Sequence, residues 1–112
     1  LNRFRAVPNS GFFLMHDDAT GQPTYPDEIK SVYEMQHARG GVNQNCLASL
    51  DEGEQWKCFF ANHSYASSTT PMFLLNSALD SWQMGNIWRG DSDCVESRFA
   101  NCTESEVGDL ND

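Results

Sequence analysis

Asp80 is the residue of this chain best placed to do chemistry. It closes the run Thr70-Pro71-Met72-Phe73-Leu74-Leu75-Asn76-Ser77-Ala78-Leu79, in which Pro71 opens an apolar stretch, Met72 to Leu75, without alternation. Such a run fits a strand covered on both faces in a parallel sheet, here residues 71–79. A carboxylate just past that strand's carboxyl end stands at the edge where open α/β sheets gather their functional groups. An aspartate held there can accept a hydrogen bond from an imidazole, fix its tautomer and stabilise the imidazolium, as the acid of a hydrolytic triad does. The plainer role for an aspartate at this place is to cap the helix that follows, and both readings stay open here.

No second member of a triad is evident. His16 opens a polar loop, His37 falls on the polar side of a predicted helix and His63 lies inside a sequon, so all three read as solvated. The chain has no G-x-S-x-G, and the surroundings of Ser10 are not a nucleophile elbow. Asn45 and Asn76 read as turn or strand-end residues. Phe12, Phe13, Phe59, Phe60 and Trp82 could wall an apolar pocket that excludes water, or could simply fill a core. The cysteines Cys46, Cys58, Cys94 and Cys102 allow three disulfide pairings. A zinc site is the weak rival, because the chain has neither C-x-x-C nor H-x-x-x-H, and no metal or organic cofactor is implied. Sequons at Asn62-His63-Ser64 and Asn101-Cys102-Thr103 join the cysteines in favouring a secreted or lumenal protein.

The elements that must position these residues are few. Arg3 to Val7 reads as a short strand, Pro8-Asn9-Ser10-Gly11 as the turn at its carboxyl end, and Phe12 to Met15 as lying near the same edge as Asp80. His16 to Pro26 is a polar loop. Asp27 to Arg39 is the best helix, begun by Thr24-x-x-Asp27 and Pro26, with Ile29, Val32, Tyr33 and Gln36 at helical spacing and Gly40-Gly41 as the stop. Asn43 to Lys57 reads as irregular and Ala61 to Thr70 as a loop. Trp82 to Trp88 could open a helix after Asp80, weakened by Gly85, and Thr103-Glu104-Ser105-Glu106 resembles a helix start whose body would lie beyond Asp112.

With 112 residues there is at most one domain, and hydrophobic content of 39% leaves few strong apolar runs. Two strands central in a larger sheet leave unpaired edges, so partner strands must come from elsewhere in the molecule. The net charge of −9, from 16 acidic and 7 basic residues, argues against nucleic acid and against an anionic membrane surface. No apolar stretch reaches transmembrane length.

Several motifs resemble the pectin acetylesterase and Notum carboxylesterase family. Pro71 to Gln83 spells P-x-F-L-x-N-x-A-x-D-S-W-Q, similar to that family's acid-bearing segment. Asn9-Ser10-Gly11-Phe12-Phe13-Leu14 is similar to its D-A/S-G-F/W-F-L element, and Glu52-Gly53-Glu54-Gln55-Trp56-Lys57-Cys58-Phe59-Phe60 to the Notum-like form of its C-F-F element. Met35-Gln36 and the later Cys46 fit in order. The resemblance implies an α/β-hydrolase-like fold, with residues 1–112 a partial domain from the middle to the carboxyl end, incomplete alone. It implies local disulfides, Cys46–Cys58 and Cys94–Cys102. It implies a serine carboxylesterase whose serine and histidine lie outside these residues, with Asp80 as triad acid, Phe13, Phe59, Phe60 and Trp82 binding substrate, and an acylated polysaccharide or lipidated protein as substrate. The remainder of the hydrolase domain, or a partner chain, would complete the sheet. Asn9 and Met15 stand where the family often has aspartate. Those two losses favour the alternative, a non-catalytic relative serving as a binding or structural module.

Overall fold

The protein is described by a computed structural model covering residues 4–97 and 100–109. It is a string of short helices rather than a sheet. Helix α1 spans Thr24–Met35 and is followed by a 3-10 turn at Ala38–Gly41. Helix α2 spans Gln44–Ser49, a 3-10 helix covers Glu52–Phe59, and α3 spans Ala61–Ala66. After the acid come α4, Ser81–Gln83, and a π-helix at Met84–Trp88 that continues it. Helices α5, Ser92–Glu96, and α6, Glu104–Asp109, complete the chain.

The expected α/β fold, a segment of a hydrolase-like parallel sheet, is not what forms. Among the described residues there is no strand, only two isolated parallel bridges, Ala6 with Met72 and Asn9 with Leu75. The two segments do run side by side. Ala6 N donates to Pro71 O (3.1 Å), Phe73 N to Ala6 O (3.0 Å), Leu75 N to Pro8 O (3.0 Å) and Ser10 N to Leu75 O (2.7 Å). A continuing parallel ladder would next need an N–H at position 8 to reach the Phe73 carbonyl, and Pro8 has none. Two short segments without a third neighbour are also too little to hold a sheet. The run Met72 to Leu75 is accordingly covered on one face only: Met72 and Leu74 are half-buried, while Phe73 is 66% exposed and Leu75 51%. Arg3, the first residue of the expected strand, lies outside the described residues, as do Arg98, Phe99 and the last three positions.

The best-supported helix starts and ends earlier than its pattern predicts. Pro26, Ile29 and Tyr33 turn inward at helical spacing, and Asp27 places a negative charge in the first turn. The helix stops because His37 adopts a left-handed backbone, φ 49°. The stretch expected to be irregular holds α2, whose start is set by Asn43: its side-chain oxygen accepts from Asn45 N (2.9 Å) and Cys46 N (3.1 Å). The loop expected at 61–70 begins with α3.

Each of the two core clusters forms round a disulfide. Cys46 and Cys58 are bonded and pack with Leu47, Val42 and Leu50. Cys94 and Cys102 are bonded, and Cys94 packs with Met84 and Trp88. Phe60 is 1% exposed, edge-on to Tyr25 and to Trp56. No helix among the described residues is long and apolar enough to cross a membrane.

Candidate functional site

Asp80 leaves the Leu75–Leu79 stretch with an extended backbone and caps α4. Its Oδ1 accepts from Trp82 N and Gln83 N, both at 3.0 Å. Among the described residues its other oxygen, Oδ2, accepts no hydrogen bond. The side chain is half-buried at the wall of a cavity of about 420 Å³, lined by Phe12, Leu14, His16, Asp80, Met84 and Trp88 among others. Apolar and aromatic groups dominate this lining, with one carboxylate and one imidazole among them. His16 is exposed, and its Nδ1 lies 2.5 Å from Asp17 O.

Three segments form the cavity. The 76–80 stretch brings Asp80. The π-helix brings Met84, Ile87 and Trp88, all buried, and its wide turn ends at Arg89, whose left-handed backbone (φ 53°) is held by Nε donating to Asn86 O (2.8 Å). π-Helical turns recur at functional sites. The third segment is 12–14, in which Phe12 and Leu14 line the cavity while Phe13 meets Trp82 edge-on, centroids 4.9 Å apart. Buried Gln83 ties this segment to α4, its Oε1 accepting from Leu14 N (3.2 Å) and its Nε2 donating to Phe12 O (3.1 Å).

The other residues expected to bind substrate are dispersed. Phe13, 37% exposed, and Trp82, 47% exposed, form a surface pair beside Asp80, with Tyr25 edge-on to Trp82 at 6.0 Å. Phe60 is interior, linked to that pair through Tyr25. Phe59 faces a separate cleft with Val42 and Ser64. Sequence reasoning gave no role to Gln83 and Trp88. Gln83 could have been noticed as the last residue of the acid-bearing motif, whereas nothing local marked Trp88.

Charge in and around the fold is tuned mainly by hydrogen bonding and burial. Asp18 is held far below the usual carboxylate range by the hydroxyls of Thr20 and Thr24, both 2.5 Å away, with Gln22 N adding a third bond. Glu106 is lowered by the backbone and hydroxyl of Thr103, the capping box of α6. Burial raises Tyr25 and lowers His63, the latter with help from the Lys57 charge.

Comparison with known proteins identifies the kind of chain this is. It belongs to the pectinacetylesterase family, whose model matches residues 2–109. It is 32% identical over 98 residues to pectin acetylesterase 4 of Arabidopsis thaliana, covering 88% of this chain and 23% of that protein. Pectin acetylesterase 5 of Arabidopsis thaliana is 29% identical over 98 residues, covering 88% and 22%. Palmitoleoyl-protein carboxylesterase NOTUM of Homo sapiens is 27% identical over 85 residues, covering 71% of this chain and 17% of that protein. The chain thus spans less than a quarter of these relatives' length. No solved structure gives a significant match.

Proposed function

We propose that these residues belong to a carboxylesterase in which Asp80 is the acid of a Ser-His-Asp triad. The serine that attacks and the histidine that carries the proton come from residues outside the 112. The observation that carries this reading is the state of the Asp80 carboxylate: Oδ1 is locked by two backbone donors, and Oδ2 is uncommitted beside an apolar cavity. A capped aspartate cannot swing, so the free oxygen is held in a fixed direction, as a group that must orient an imidazole requires. Capping and catalysis are therefore one arrangement rather than rivals. The acyl-enzyme route needs no metal or organic cofactor. An acetyl group on a polysaccharide is the first substrate, following the plant relatives' names, and a longer acyl group on a protein the second. Two disulfides and two exposed sequon asparagines, Asn62 and Asn101, support a secreted glycoprotein.

The test uses the full-length protein and Asp80→Asn. A carboxamide oxygen still caps α4, so the melting temperature stays near that of the wild type. It cannot stabilise an imidazolium, so kcat on p-nitrophenyl acetate falls about 10⁴-fold. Unchanged turnover in a folded Asp80→Asn protein removes Asp80 from the triad.

A further inference from the structure

We propose that Gln83 is a positioning residue of this site, fixing the part of the cavity wall formed by Phe12 and Leu14 and with it the acyl length the cavity accepts; this rests on the esterase reading above. The carboxamide of Gln83 offers one acceptor and one donor, spaced like a peptide edge. It uses both on the segment 12–14, bonding Leu14 N and Phe12 O across 69 and 71 residues of sequence. Its own backbone N–H is one of the two donors that lock Asp80 Oδ1. A single residue therefore joins the acid to the 12–14 segment of the same cavity.

Gln83 bonds this segment twice, alongside Phe12 N donating to Asn76 Oδ1 (3.3 Å) and Ala61 N donating to Phe13 O (3.2 Å). With the backbone of 12–14 held at both ends of one carboxamide, Phe12 and Leu14 are presented to the cavity and Phe13 to Trp82. Gln83 is 9% exposed and both polar ends are satisfied, so removing them leaves the Leu14 N–H and the Phe12 carbonyl without partners. The segment then relaxes toward or away from Asp80, and an acyl chain lying against Phe12 and Leu14 senses it first.

The experiment compares the wild-type full-length protein with Gln83→Leu, which keeps the volume and loses both bonds, and Gln83→Glu, which keeps only acceptance from Leu14 N. The readouts are kcat/KM on p-nitrophenyl acetate and p-nitrophenyl octanoate, and hydrogen exchange of the Leu14 amide. A loss of folded protein scales both esters alike, so their ratio isolates positioning from stability. The ratio is expected to shift about tenfold in Gln83→Leu, and less in Gln83→Glu, with faster Leu14 exchange in Gln83→Leu. An unchanged ratio with faster exchange overturns the positioning role and leaves the esterase reading standing. No turnover of either ester by wild type overturns the esterase reading, and this proposal with it. Should Gln83→Leu not fold, the ratio in Gln83→Glu decides alone.

Discussion

Asp18 shows how much one side chain can organise. Its carboxylate gathers Thr20, Gln22 and Thr24, closing the loop that delivers the chain into α1. Its folded pKa lies below the unfolded value, so the ionised form is favoured by folding. The stabilisation is therefore complete above about pH 4 and is lost as pH falls below that. Thermal melts from pH 6 to pH 2 should drop less for Asp18→Asn than for the wild type. Gly90 is constrained differently. A Cβ there would run into the ring of Trp88, so Gly90→Ala forces the indole out of the second core cluster. Overpacking of this kind costs about 1–3 kcal/mol. Urea unfolding of Gly90→Ala against Gly53→Ala, where a Cβ meets nothing within 4 Å, separates the contact from the loss of glycine itself.

Among the elements, the short helices survive through caps and covalent ties rather than length. Isolated helices below about 12 residues are marginal in water, and α2 has only six. Asn43 Oδ1 accepts from two of its first N–H groups, and Asn43→Ala should destabilise the protein by about 1 kcal/mol in chemical unfolding. Helix α1 is tied to the π-helix by Arg89, whose Nη2 reaches both Glu28 oxygens at 3.0 and 2.9 Å. The pair is exposed, so its contribution is modest and salt-sensitive. The helix after Asp80 was readable as a possibility from Trp82 to Trp88, but its π-turn was not. Which residues a wide turn brings to the cavity depends on what packs against them, here Ala19 and Cys94.

The whole molecule is extended for its length. Its radius of gyration is 16.0 Å, against about 13 Å for a compact chain of this size. Phe4, Val7, Phe73 and Leu75 all stand more than half exposed along the paired segments. Disulfides closing loops of 12 and 8 residues then carry weight that burial does not. By loop entropy each contributes about 2.5–3 kcal/mol, so replacing either pair by serines should cost a large part of the stability. Residues 1–112 expressed alone should show no serine-dependent hydrolysis of p-nitrophenyl acetate, since the triad reading has two members outside them.

Local sequence determined what depends on neighbours a few positions away. A helix was legible from spacing between Asp27 and Arg39, though it forms at Thr24–Met35, and the start of α6 from Thr103 and Glu106. Family motifs added the disulfide pairing, which both S–S bonds now display. Tertiary structure decided the rest. An apolar run reads alike whether one face or two are covered, so Met72 to Leu75 suggested a sheet that Pro8 interrupts and that no flanking strand among the described residues extends. Phe12 and Phe13 are equivalent as letters, and it is in the folded chain, where Gln83, Asn76 and Ala61 bond the backbone of 12–14, that one lines the cavity and the other meets Trp82. Contacts across some 70 residues depend on where the intervening chain goes, and no spacing pattern within a segment encodes that path.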